Sequence, residues 1–96
     1  MDVNREIRMA VNTGEVDFGL KEAKENAEED DCELLIVASN CPDDSLKDSK
    51  EYEGVPIYVY RGNNQQLGSA AGKPFAVSAI SIKDGGNSNI FSLRAE

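Results

Sequence analysis

Apolar residues recur at helical spacing from the first residues onward. Val3, Ile7, Ala10 and Val11 share one side, and Arg5, Glu6 and Arg8 lie off that stripe, which predicts a helix over Val3 to Val11. Asp2 is suited to cap it, and Asn12-Thr13-Gly14 ends it, with Gly14 suited to a left-handed cap or turn. A short extended piece, Val16 to Phe18, leads through Gly19 to a second helix over Leu20 to Glu29. That helix has a narrow apolar stripe of Leu20, Ala23 and Ala27 and a polar face crowded with Lys and Glu. Leu34 to Ala38 is a continuous apolar run of strand length, so Glu33 to Ser39 is expected to be a strand buried on both faces.

Pro42 breaks this run, and Asp43 to Glu53 reads as a short polar helix closed by Gly54. Val55 to Tyr60 is a second strand, with Pro56 marking an edge or entry point. Arg61 to Asn64 is a turn, Asn64 to Ala71 a small-residue helix, and Phe75 to Ile82 a strand. Asn87 to Arg94 fits a last short helix or a last strand. Helices alternating with strands imply an α/β fold with the sheet between helices. Right-handed crossovers would make much of that sheet parallel.

The chain has 96 residues, enough for one core and too few for two, so residues 1–96 are expected to form a single domain. Eighteen acids against ten bases leave a net charge of −8, which by itself argues against a nucleic-acid partner. The absence of His excludes catalysis of the Ser-His-Asp and Cys-His types. The first ten residues have no signal-like apolar core, and no apolar run approaches the ~20 residues of a membrane span. A cytoplasmic chain is therefore expected. Cys32 and Cys41 fit that compartment as structural free thiols, since their spacing suits neither a redox pair nor a zinc site.

Few constellations carry chemistry. Glu28-Glu29-Asp30-Asp31 lacks the spaced ligands of a calcium loop and reads as a solvated helix end. Asp43-Asp44 reads as helix capping. Neither Gly14 with Gly19 nor Gly68 with Gly72 forms a phosphate-binding motif, although Gly14 and Gly19 could let a ligand approach the start of the second helix. Three loops are expected to meet at one end of the sheet: Gly14 to Lys21, Ser39 to Pro42, and Gly72 to Phe75. Asn40 can donate and accept together, which suits a base edge, a turn or a helix cap. Lys73, Pro74 and Phe75 offer a cation, a rigid bend and an aromatic face, a set suited to a phosphate and an unstacked base. Phe75 fits equally well as ordinary core at a strand start. No metal or other cofactor is implied.

These segments are together similar to a known family. Thr13-Gly14-Glu15-Val16 followed by Gly19, and Leu35-Ile36-Val37-Ala38-Ser39-Asn40-Cys41-Pro42, resemble stretches of the archaeal and eukaryotic e-type large-subunit ribosomal protein thirty family. Gly54-Val55-Pro56-Ile57-Tyr58, Leu67-Gly68, Gly72-Lys73-Pro74-Phe75 and Asp84-Gly85-Gly86-Asn87-Ser88-Asn89-Ile90 continue the likeness in the same order. The resemblance implies a three-layer α/β/α sandwich around a four-stranded mixed sheet. It also implies a non-enzymatic binder of kink-turn or internal-loop ribosomal RNA, in the cytoplasm on the ribosome, beside neighbouring ribosomal proteins. By the same resemblance, Gly14, Gly19, Lys21 and Glu22 lie at the first RNA-facing loop and helix start. Asn40 would contact a base or the bent backbone, and Gly72, Lys73, Pro74 and Phe75 would line the pocket of an extruded base.

The chain departs from the family in several ways, among them Asn87 in place of an acid in the closing motif. Glu15 stands where the pattern has Lys and would repel phosphate. Ala23 replaces a small hydroxyl residue, and Asn40 to Gly54 is about one helical turn shorter. The overall acidity suits a protein adapted to high internal salt, where the Debye length falls to a few ångströms. The competing reading is an acidic paralogue without RNA binding that uses Lys21 to Asp31 as a protein-interaction face. A monomer is expected off the ribosome.

Overall fold

The structure is a computed structural model, and it describes residues 2–93. Arg94, the end of the last predicted element, lies outside them. Helix α1 (Val3–Thr13) is capped as expected, with Asp2 Oδ1 accepting from the Arg5 N–H at 3.1 Å. It is followed by β1 (Glu15–Phe18), α2 (Leu20–Glu28) and β2 (Leu34–Val37). Then come α3 (Asp44–Lys47), β3 (Glu51–Tyr52), β4 (Val55–Val59), α4 (Asn64–Ala70) and β5 (Ala79–Asp84). The last segment is helical, a 3-10 turn over Ile90–Ser92.

The five strands form one mixed sheet in the order β1-β5-β2-β4-β3. Central β2 alternates its side chains between two layers. Leu34, Ile36 and Ala38 join Ile7, Ala10 and Leu67 under α1 and α4. Leu35 and Val37 join Ala23, Ala27 and Leu46 under α2 and α3. The three-layer sandwich follows from this two-sided burial, since each fully buried Leu or Ile contributes roughly 1.5–3 kcal/mol.

Several expectations need correction. The sheet has five strands, not four, because the predicted helix over Asp43 to Glu53 is a single turn followed by a hairpin. Only Leu46 of α3 is buried, so no apolar stripe sustains a longer helix. Glu53 and Gly54 take φ of 51° and 82°, and Tyr52 pairs with Val55 across them. Positive φ at both central residues is the condition of a two-residue hairpin turn whose twist matches the strands.

The sheet is also less parallel than alternation suggests. Only β2 and β4 pair in parallel; β5 runs antiparallel to both β1 and β2. The reason is the chain after α4, which returns to the end of the sheet where β2 and β4 finish before β5 starts. Residues 75–78, expected to open that strand, form this return, with the Val77 N–H on the Asn64 carbonyl at 3.0 Å. Finally, Gly14 is extended (φ −110°) and not left-handed. A Cβ there would run into the Asp84 carbonyl, so the position demands space and not a special φ.

Candidate nucleic-acid interface

The ends of β1, β2 and β4 and the start of β5 come together at one edge of the sandwich. The Gly19 N–H donates to the Ala79 carbonyl at 2.9 Å, and the Ala38 N–H donates to the Ser78 carbonyl at 2.9 Å. Ser39 donates from both its N–H and its Oγ to the Gly62 carbonyl, each at 2.9 Å. Three loops are thereby tied into one surface by main-chain bonds.

Asn40 and Asn64 form the centre of this surface. The Asn64 N–H donates to Asn40 Oδ1 at 2.9 Å, and Asn40 Nδ2 donates to Asn64 Oδ1 at 3.2 Å. Asn40 thus satisfies a free N–H in the first turn of α4. Asn63 and Gln66 close the same turn as a reciprocal capping box. The helix-capping reading of Asn40 holds, and the residue remains exposed.

The segment from Gly72 to Phe75 packs along α4. The Lys73 N–H donates to the Gly68 carbonyl at 2.9 Å, and Gly68 is required because a Cβ would strike the Phe75 carbonyl. Phe75 is 54% exposed, so it is not core: β5 starts only at Ala79, beyond the reach of the sheet's packing. Phe75 and Val59 are the exposed large hydrophobics among the described residues. The Lys73 ammonium sits 5.0 Å from the centre of the Phe18 ring, a cation–π contact that holds it beside the end of β1.

Gly19 takes φ of 113° and opens α2 without a side-chain cap, leaving the N–H groups of the first turn facing outward. Lys21 and Glu22 stand exposed on that turn, with the Lys21 ammonium 4.0 Å from Glu25. The structure brings Gly19, Lys21, Glu22, Asn40, Gly72, Lys73, Pro74 and Phe75 to this edge. It does not bring Gly14 or Glu15. Gly14 precedes β1 and Glu15 opens it, with Glu15 opposite Asp84 and Phe18 opposite Ile80, so three residue steps of ~3.3 Å along the strand put them at its far end. Glu15 there lines a cleft with Asp30, Asp31, Glu33, Lys83 and Asp84. Sequence reasoning missed Phe18 and Asn64. The strand alternation of Val16 and Phe18 was the available signal for the first.

Several charges away from this edge are structural. Asp17 accepts from Asn26 Nδ2 at 2.9 Å, and the same nitrogen donates to Ser81 Oγ at 2.8 Å. This bond, followed by the Lys83 ammonium, holds the Asp17 carboxyl below its usual range. Lys83 bridges Asp17 at 3.2 Å and Asp31 at 3.0 Å, which raises its own pKa. The acidic end of α2 is therefore partly docked, not merely solvated. Asp43 caps α3 through the Ser45 N–H at 2.9 Å and accepts from Lys24 at 2.7 Å. Lys24 and then Ser45 lower the Asp43 carboxyl to about 2. Burial, with the Asp31 carboxylate beside it, pushes the Cys32 thiol up to about 11, as suits a structural cysteine.

The α/β sandwich thus presents an amide, a cation and an exposed ring on one loop-built edge. Its sequence matches the model of the ribosomal protein L7Ae/L30e/S12e/Gadd45 family over residues 1–92, and the chain belongs to that family. It is 42% identical over 93 residues to large ribosomal subunit protein eL30 of Methanospirillum hungatei, covering 97% of this chain and 98% of the relative. It is 40% identical to the eL30 protein of Methanococcus maripaludis, with 100% and 99% covered. The eL30 protein of Methanosphaerula palustris is 38% identical, with 98% of each chain covered.

Proposed function

We propose that this chain is a structural, non-enzymatic constituent of the large ribosomal subunit, working in the cytoplasm. It binds bent internal-loop ribosomal RNA of the kink-turn type through the edge that carries Gly19, Lys21, Asn40, Gly72, Lys73, Pro74 and Phe75. The observation that carries this reading is Phe75, an aromatic ring left 54% exposed on the same loop edge as Lys73 and the Asn40–Asn64 pair. An exposed ring on a soluble domain is accounted for by a base stacked upon it, and such stacking contributes ~1–3 kcal/mol per base. Gly14 and Glu15 have no part in this surface. The full-length relatives named as large-subunit proteins support the ribosomal role. Off the ribosome the chain is a monomer.

The test is a titration of the protein with a kink-turn RNA and a straight duplex, from low to molar KCl. Selective binding of the bent RNA that persists at high salt is expected, because shape, hydrogen bonds and stacking resist screening. Phe75→Ala is expected to weaken it by roughly 10- to 100-fold with an unchanged melting temperature. Equal binding of both RNAs, or none at any salt, overturns the proposal in favour of a protein-interaction module.

A further inference from the structure

The three arginines among the described residues are not spread over the surface. Arg5, Arg8 and Arg61 all line one open groove of about 820 Å³ between α1 and α4. Among the described residues none of the three is in a salt bridge, whereas Lys21, Lys24, Lys47 and Lys83 each have a carboxylate within 4.0 Å. In a chain of net charge −8, three cations without a carboxylate partner on one groove form a locally positive surface. A polyanion lying in the groove would complement it. Asp2 is the acid in the lining, and its Oδ1 already accepts from the Arg5 N–H.

The other lining groups are short polar side chains, among them Asn12, Gln66 and Ser69, suited to phosphate and ribose oxygens. The ring that lines it, Tyr60, is buried and donates its hydroxyl to Asn4, so the groove offers no stacking platform. Its chemistry fits a sugar-phosphate backbone and not bases. Guanidinium groups suit this use, since each presents a planar fork of N–H donors to phosphate oxygens.

The groove is continuous with the loop edge at two points. A Cβ at Gly72 would lie 2.7 Å from Arg8 Nε, so the Arg8 side chain lies against the Gly72 backbone. Arg61 precedes Gly62, the carbonyl that holds Ser39 beside Asn40. An RNA strand leaving the loop edge meets arginine on either path.

We infer that the α1–α4 groove is a second, sequence-independent RNA contact that holds the phosphate backbone of a strand flanking the bent loop, through Arg5, Arg8 and Arg61. The inference rests on the RNA-binding reading of the loop edge. It extends the interface to a helix pair that the site residues do not include.

The test uses the full chain and two RNAs with the same bent loop, one cut a few base pairs beyond it and one continued for a further helical turn on each side. The longer RNA is expected to bind with a steeper salt dependence. The Arg5→Gln/Arg8→Gln variant is expected to lower that slope by about two, at ~0.9 per lost phosphate contact, and to leave the short RNA unaffected. Arg5→Lys/Arg8→Lys is expected to restore the slope, and Arg61→Gln alone to lower it by about one. Thermal melting of each variant verifies folding. If the Gln variant keeps the wild-type slope and affinity on the long RNA, the groove inference is overturned and the loop edge stands. If the wild-type protein binds neither RNA, both readings fall. If polyglutamate binds and is lost in the Gln variant while RNA affinity is unchanged, the groove serves an acidic peptide and the inference is overturned.

Discussion

Asn40 and Asn64 exchange hydrogen bonds in both directions across the end of the sheet, Asn64 N–H to Asn40 Oδ1 at 2.9 Å and Asn40 Nδ2 to Asn64 Oδ1 at 3.2 Å. A backbone N–H can only donate, so this bond orients the Asn40 amide. One residue thereby joins the end of β2 to the first turn of α4 and holds the polar centre of the loop edge.

Replacing Asn40 tests that double role. Asn40→Ala is expected to destabilise the fold by about 1 kcal/mol, the worth of a lost cap, and to weaken binding of bent RNA. Asn40→Asp retains the acceptor and adds a negative charge at a helix start, so its stability should stay near wild type. Its RNA affinity should still fall, because a carboxylate faces phosphate. Thermal melts beside RNA titrations separate the two effects. Equal RNA affinity of wild type and Asn40→Asp would remove Asn40 from the interface.

Glu15 and Glu22 provide a contrast of place. Both are exposed acids near the second helix in sequence, but β1 separates them across the sheet. Glu15→Lys is expected to leave affinity for a bent RNA unchanged to within about twofold. Glu22→Lys is expected to raise it several-fold at low salt, since a unit charge near phosphate is worth about 1 kcal/mol at 4 Å in water. Titrations in low and high KCl check the order. A larger gain from Glu15→Lys would put the interface at the wrong edge.

Asn26 is buried and its Nδ2 donates to both Asp17 and Ser81, joining α2 to β1 and β5. Asn26→Leu strands the Ser81 hydroxyl in the core and is expected to cost ~1–3 kcal/mol in urea unfolding. Ser81→Ala in the same chain should recover part of that loss, because no polar group is then left without a partner. Additive losses in the double variant would contradict this account.

The Asp43 carboxyl gives the fold an acid limit. Its pKa is lowered from 3.8 to about 2 by Lys24 and Ser45. A depressed carboxyl contributes stability that is complete above the unfolded value and is lost as pH falls through the folded one. The wild-type protein is therefore expected to lose stability as pH falls from 3.8 toward about 2. Asp43→Asn keeps the cap and loses the ion pair, so it should be less stable at neutral pH and converge on wild type in acid. Denaturant unfolding across this range measures the convergence; a constant gap would mean the ion pair contributes nothing to the acid limit.

The sequence by itself determined the elements whose signal is local. The stripe of Val3, Ile7 and Ala10 marks α1, Asp2 caps it, and the unbroken run from Leu34 to Ala38 marks the central strand, because periodicity and burial follow from side chains that are neighbours in the chain. The ordered motifs also carried the family, and most of the loop edge with it. Tertiary structure decided what depends on where segments end relative to one another. It placed Glu15 at the far edge, since a strand's direction depends on its partner β5. It turned Glu51–Tyr52 into a fifth strand, since that pairing needs Val55 across two positive φ angles. It left Phe75 outside the core by starting β5 at Ala79. It also set Arg61, distant in sequence, into one groove with Arg5 and Arg8, because helix packing brings together charges that no local pattern relates.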